Sequence, residues 1–379
     1  MTVAAVLCVS IGVPLAFLAA VRKLDLYASH SLRNVLTCAG VGFLAFPAAY
    51  VVNNGVRDAL MLQLGLSVAA TMLAIKTIVA PVVEEVAKSL GVWIVVRRRD
   101  FTYFVDGAIC GFAGGTAFAM VENVFYAMRA GLGDSLALSV NRAFSTSLVH
   151  GTAGALVGIV IGRFRFERSW RRYVALLAGW GLAIALHMGF NRVVTSTSFG
   201  SVVLLAAIVI GTGGVGAIAC VMLLGLRVER RWIADALDVG IGVSPHEARA
   251  VDRMRDLDKV LAPVAVHFGE AKRRDVEALL RSQARLGLKH QLAQRTAEPV
   301  QRAEIQADIA ALQAEHDRLR RAVGVYCMTY VRSILPSGNT PLWDRLGAQL
   351  LDAPALDARP GSDDVWSRLA IRTAPPKDP

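Results

Sequence analysis

The sequence predicts an all-α membrane protein: a polytopic bundle of seven or eight transmembrane helices, followed by a helical C-terminal region in the cytoplasm. Of its 379 residues 54% are hydrophobic, and the mean hydropathy is +0.47, more apolar than a typical soluble domain. Long apolar runs fill residues 1–226, whereas residues 227–379 are rich in Arg, Glu, Asp and Gln. The change in composition predicts a membrane domain over 1–226, a cytoplasmic helical domain over 227–359 and a largely disordered tail over 360–379.

The individual spans follow from the length of each apolar run, because a helix needs about 20 apolar residues to cross the bilayer. One region, residues 59–96, would be about 57 Å long as a single helix, and it contains Pro81. Pro81 could kink it, or its first half could lie at the interface or re-enter the membrane; we predict seven crossings and allow eight. The predicted spans are 2–21, 35–52, 59–96, 103–128, 136–161, 173–191 and 201–226.

The loops between these spans alternate in charge. Basic residues cluster in four of them, and the loops near 53–58, 129–135 and 192–200 carry few charges. Basic loops stay in the cytoplasm, so the predicted N-terminus is outside and the C-terminal region inside. Many of the basic residues behind the net charge of +11 lie in these loops, next to membrane spans, where they contact anionic lipid. We therefore expect no nucleic-acid partner. The basic loops are marked by Arg22, Lys23 and Arg33; by Arg97, Arg98 and Arg99; by Arg163, Arg165, Arg168, Arg171 and Arg172; and by Arg227, Arg230 and Arg231.

Ionisable side chains recur inside the apolar runs, where each costs several kcal/mol and therefore suggests a function. Counted from the cytoplasmic ends, four helices bring such groups to a depth of about 18–27 Å. We expect them to converge. Glu84 and Lys88 are four residues apart and could pair on one helix face, as could His187 and Asn191. The full set is Glu84, Glu85, Lys88, Asp106, Glu122, His150, His187 and Asn191.

Three functions are compatible with such a cluster. In the first, a glutamate activates water for hydrolysis while a histidine and Asn191 polarise the scissile carbonyl. In the second, Glu122, His150 and His187 bind zinc and Glu84 acts as base. In the third, a transporter or a non-catalytic membrane sensor uses the cluster as a proton or ion site. The chain contains no HExxH, GxSxG or phosphate-loop motif.

Four motifs in order resemble the PrsW family of intramembrane proteases. The segment APVVEEVAK at 80–88 resembles its EExxK motif, and Asp106 with FAMVEN at 118–123 resembles the second block. Arg142 with His150 resembles the third block and HMGFN at 187–191 the fourth. A more distant similarity is to the CAAX-prenyl protease and Abi superfamily, in which a histidine stands where this chain has Glu122.

The resemblance implies an intramembrane endopeptidase that cuts membrane-tethered proteins, such as an anchored anti-sigma factor. It implies catalytic roles for Glu84 as base with Glu85 in support, and for Glu122, His150, His187 and Asn191 in positioning water or binding a metal. Lys88, Asp106, Asn123 and Arg142 would support them. No cofactor other than zinc is expected, and the oligomeric state is not predicted.

The region after the membrane domain has helical patterns and no catalytic constellation. Ser244, Pro245 and Glu247 form a capping box. We expect helices over about 270–295 and 301–334, the second with a short seam at which His316 replaces an apolar residue. The apolar seam positions are Ile305, Ile309, Leu312, Leu319 and Val323.

Overall fold

The computed structural model describes residues 2–22, 32–98, 100–167, 169–196, 205, 208–209, 212–225, 227–228, 257–296 and 298–334. Within these ranges every regular element is a helix, which confirms the predicted all-α class. The capping box at Ser244 and the tail over 360–379 lie outside the described residues.

In the apolar part of the chain, the described residues form eight helices. Two of them include a π-helical segment: α1 comprises Thr2–Leu7, Cys8–Gly12 and Val13–Arg22, and α3 comprises Val68–Ala74, Ile75–Val79 and Ala80–Val95. The others are α2 (Leu32–Leu62), α4 (Phe104–Arg129), α5 (Gly131–Phe144), α6 (Thr146–Arg163), α7 (Arg171–Ser196) and α8 (Thr212–Gly225).

Five stretches of the described chain are long and apolar enough to span a membrane: Val3–Arg22, Leu32–Leu62, Phe104–Arg129, Ser135–Arg163 and Arg171–Thr195. Each contains one of the predicted spans or most of it. Two further predicted spans do not reach this standard. α3 is long but carries Lys76, Glu84, Glu85 and Lys88, and within the predicted span 201–226 the continuous described helix is Thr212–Gly225.

The region 59–96 divides differently from the prediction. Residues 59–62 complete α2, so the expected loop at 53–58 is helical. The break follows at 63–67, where Gly65 has φ 61° and Ser67 caps α3 by accepting a hydrogen bond from the Ala70 amide. From there α3 continues past Pro81, which lies in the first turn after the π-helical segment. Proline is tolerated at the start of a helical segment, so the backbone remains helical through Pro81.

Close packing of α4 against α6 organises the centre of the bundle. A Cβ atom added to Gly111 would overlap the carbonyl of Gly154, and one added to Gly107 would overlap that of Gly158. One turn further along, Gly115 lies against the carbonyl of His150. Small residues at this spacing let two helices approach until their backbones touch. The approach fixes the position of His150 on α6 relative to α4.

Beyond the apolar part, the described residues form α9 (Leu257–Arg295), which is broken into two helical segments at Gly269, α10 (Pro299–Val323) and α11 (Val325–Ile334). The predicted helix at 301–334 is interrupted at Gly324, whose φ of 80° is rarely adopted by residues with a side chain. As expected, His316 is buried in the seam; its Nε2 lies 3.4 Å from Nε2 of Gln283 on α9. Phe166, in the basic loop before α7, packs against an apolar cluster of α9 and α10.

Candidate active site

The charged face of α3 lies in the interior of the bundle. Glu84, Glu85 and Lys88 are all buried. Nζ of Lys88 is 2.6 Å from Oε1 of Glu85, and both side chains are almost fully buried. The expected pairing of Lys88 with Glu84 was therefore wrong. Both glutamates are helical neighbours of the lysine, at spacings of three and four residues, and tertiary contacts determine which one it meets.

His187 on α7 reaches both glutamates, using a different ring nitrogen for each. Nδ1 lies 2.8 Å from Oε1 of Glu85, and Nε2 lies 3.9 Å from Oε2 of Glu84. The short contact assigns the ring proton to Nδ1, since an ionised carboxylate can only accept a hydrogen bond. The lone pair on Nε2 then faces Glu84. The side chains of Glu84 and Glu85 point in different directions from α3, and the imidazole of His187 lies between them, with one nitrogen facing each carboxylate.

His150 on α6 completes the centre. Its Nε2 lies 2.9 Å from Oε2 of Glu122 on α4, and its Nδ1 lies 2.7 Å from Nζ of Lys88. The two histidine rings are 4.7 Å apart in an edge-on arrangement. Polar groups from α3, α4, α6 and α7 therefore meet in one place.

Arg142 holds Glu122 from the other side and is itself held by Asn123. Nη2 of Arg142 is 2.8 Å from Oε2 of Glu122, and its Nε donates to Oδ1 of Asn123 at 3.1 Å. Asn123 in turn donates to Oγ of Ser147 at 2.9 Å. Ser147 could not be predicted as a contact of the site, because a lone serine in an apolar helix is common. Of the predicted supporting residues, Arg142 thus contacts the cluster at Glu122, and Asn123 contacts Arg142.

Two predicted site residues make other contacts. Asn191, one turn beyond His187, donates to the backbone carbonyl of Lys76 at 2.9 Å, inside the π-helical segment of α3. This hydrogen bond ties α7 to α3 beside the cluster. Asp106, in the first turn of α4, accepts a hydrogen bond from the Thr102 amide. That contact fits the role of a residue that anchors the start of a helix.

The cluster has an excess of negative charge. Glu84, Glu85 and Glu122 contribute three carboxylates, while Lys88 and Arg142 contribute two cations, which leaves one formal negative charge if both histidines are neutral. Glu85 and Glu122 each contact a cation and a histidine. Within the described residues, no hydrogen bond reaches the carboxylate of Glu84. A buried charge needs a partner, so the site favours an added proton or metal ion close to Glu84.

Glu84, His150 and His187 form the group that could hold such an ion. One donor atom from each lies within 4.8 Å of the others, and all three residues are buried. Two imidazoles and one carboxylate are the donor set of many catalytic zinc sites. The sequence had suggested Glu122 in place of Glu84. In the structure Glu122 contacts Arg142 and Nε2 of His150. In that position it resembles a carboxylate that orients a metal-binding histidine through the ring nitrogen that does not bind the metal.

Comparison with protein families agrees with this geometry. Residues 30–223 match the family described as PrsW family intramembrane metalloprotease, and the match covers half of the chain. This chain belongs to the PrsW family. No curated protein and no solved structure gives a significant match.

Membership confirms the resemblance seen in the sequence and identifies the protein as an intramembrane peptidase. The matched segment includes all of α2 to α7, the helices that supply every residue of the cluster. The helices α9, α10 and α11 lie beyond it. The membrane-embedded proteolytic part is therefore the part that the PrsW family shares.

Proposed function

We propose that this PrsW-family peptidase hydrolyses peptide bonds of membrane-tethered proteins, with Glu84 as the group that activates water. The observation that supports this role is the difference between the three carboxylates. Glu85 and Glu122 are each held by a cation and a histidine, whereas Glu84 has its nearest partner, Nε2 of His187, at 3.9 Å. That separation is too long for a direct hydrogen bond, so both groups remain able to contact a water molecule.

In this mechanism Glu84 takes a proton from the water while the water oxygen attacks the carbon of the scissile carbonyl. The tetrahedral intermediate collapses when the carbon–nitrogen bond breaks, and Glu84 returns the proton to the departing amine. His187 holds the water through Nε2, and Glu85 fixes the orientation of the ring through Nδ1. Lys88 supplies positive charge next to Glu85 and His150, where it offsets charge that develops on the carbonyl oxygen.

The donor set also fits a zinc ion, which would be held by Glu84, His150 and His187. When bound, zinc would lower the pKa of water and polarise the carbonyl. Glu85 and Glu122 would then orient the two histidines, as carboxylates behind metal ligands commonly do. With Nε2 of His150 directed to Glu122, the nitrogen left for a metal is the one that now contacts Lys88. Zinc and that lysine contact are therefore alternatives.

We further propose seven membrane crossings: the five apolar spans together with α3 and α8. The basic loops and the C-terminal region would lie in the cytoplasm, with the protease domain over 1–226, a helical domain over 227–359 and a tail over 360–379. Arg57 and Asp58 at the end of α2 would then face outward. Labelling single cysteines introduced at position 58 and at position 171 with an impermeant reagent would test the orientation, after replacement of the native cysteines.

The proteolytic proposal is tested by comparing membrane proteins in native cells that express the wild-type protein or Glu84→Gln. Anchored substrates of the peptidase should accumulate at full length in the variant and be cut again when the wild-type protein is restored. The matched control is Asp58→Asn, which alters an exposed carboxylate far along α2. If Glu84→Gln cut the same proteins as fast as the wild type, the role of Glu84 would be refuted.

A further inference from the structure

A cavity of about 350 Å³ lies where the ends of α3 and α7 meet the connection between α9 and α10. The membrane-domain side is formed in part by Trp93 and Arg97 at the end of α3 and by Arg172 at the start of α7. The opposite side includes Arg295 at the end of α9 and Gln301 in the first turns of α10. The cavity therefore lies between the part of the chain that the family shares and the C-terminal helices.

The lining of this cavity is strongly basic. It contains four arginines, Arg97, Arg165, Arg172 and Arg295, against one glutamate, Glu298, for a formal charge of +3. Guanidinium groups bind phosphate oxygens through paired hydrogen bonds. Four positive charges around one small volume make its electrostatic potential positive, which favours binding of an anion.

Arg165 provides a second observation that points to an anion. Its guanidinium is partly buried and donates to the backbone carbonyls of Phe101 and Arg98, which are neutral acceptors. Burial lowers the pKa of Arg165 to about 10, although Asp106 and Asp100 act in the opposite direction. A partly buried arginine whose hydrogen bonds go to neutral carbonyls would gain from a negative charge in the cavity.

We propose that this cavity binds the phosphate group of an anionic ligand, which bridges the membrane domain and the C-terminal helices. Two sources offer that chemistry: the headgroup of an anionic phospholipid, and a soluble phosphorylated compound. The site also has a consequence for the active site. α3 carries Glu84 and α7 carries His187, and both helices have an end at the cavity. A bound phosphate that contacts both Arg97, just after α3, and Arg172 on α7 would restrain the relative positions of these helices.

The test uses the full-length protein purified in a neutral detergent. One arm measures binding of inorganic pyrophosphate by calorimetry. The other measures retention of phosphatidylglycerol, compared with phosphatidylcholine, by native mass spectrometry. Arg172→Gln and Arg295→Gln should each lower the affinity for whichever probe binds by about tenfold, the change expected when one charge-assisted hydrogen bond is lost. Arg171→Gln is the matched control, because it removes an exposed arginine next to Arg172 that does not line the cavity.

Binding of pyrophosphate alone would identify a soluble ligand, binding of phosphatidylglycerol alone a lipid headgroup, and binding of both would support the shared phosphate chemistry. Gln301→Glu adds a negative charge to the lining and should also weaken binding, which covers the case in which an arginine variant fails to fold. If neither probe binds the wild-type protein, or if Arg171→Gln weakens binding as much as Arg172→Gln, the proposal is overturned.

Discussion

Glu84 and Glu85 are neighbours in sequence, yet the structure predicts opposite results when each is replaced by glutamine. Glu84→Gln removes a carboxylate that has no hydrogen bond within the described residues, and whose side chain is 11% exposed. The loss of a general base typically slows a reaction by about 10²- to 10⁴-fold, or about 3–5 kcal/mol of activation free energy. Because no ion pair is broken, we expect the free energy of unfolding to change little.

Glu85→Gln should instead reduce stability. Glu85 and Lys88 form an ion pair in which both side chains are almost fully buried, and leaving one member of such a pair alone costs about 3–5 kcal/mol. The variant should also lose the Glu85 contact that orients His187. Its thermal melting temperature in detergent, and its level in membranes, should fall well below those of Glu84→Gln.

Two quantities are measured for both variants in parallel: the rate at which a reconstituted tethered substrate is cleaved, and the melting temperature. We expect Glu84→Gln to be folded and inactive, and Glu85→Gln to be destabilised. If Glu84→Gln were as destabilised as Glu85→Gln, Glu84 would be a structural residue. If Glu85→Gln melted at the wild-type temperature, the buried pair would not contribute to stability as argued.

Three further substitutions test separate parts of the account. Gly111→Leu should prevent α4 and α6 from touching and abolish accumulation in membranes, whereas Gly181→Leu, at a position with open space, should accumulate normally. Arg142→Lys keeps the positive charge but not the fork that contacts Glu122 and Asn123, so we expect cleavage to slow by about 10- to 100-fold; an unchanged rate would remove Arg142 from the site. Gly324→Ala should lower the unfolding free energy by about 1–3 kcal/mol because of its backbone angles, measured by thermal melting of the full chain; unchanged melting would contradict this assignment.

The convergence of the polar side chains could be predicted from the sequence because burying an ionisable group in lipid is costly. Glu122, His150 and His187 stand at similar depths on separate helices, and the structure brings them together. The sequence could not determine the partners within the cluster. Lys88 has Glu84 and Glu85 within reach at spacings of four and three residues, and the choice between them depends on where α7 places His187.

The same limit explains the remaining differences. Residues 53–58 read as a loop because they are polar, but Asn54 donates to the carbonyl of Tyr50 within the helix, and Arg57 pairs with Asp58 on an exposed surface. Asn191 lies on the same helix face as His187, one turn further along. There it donates to the carbonyl of Lys76 and not to a residue of the cluster. Local spacing predicts which face a residue occupies, whereas packing between helices decides what it meets there.

The central claim, that Glu84, His150 and His187 form one hydrolytic centre able to hold a metal, is tested most directly by measuring zinc and cleavage in the same purified sample. We predict about one zinc per chain in the active wild-type protein, with both zinc and cleavage lost in His150→Ala and His187→Ala and retained in the surface variant Asp58→Asn. Full cleavage by a preparation of either histidine variant would contradict the claim. Full cleavage by zinc-free wild-type protein would exclude the metal-bound form and leave Glu84 with water alone.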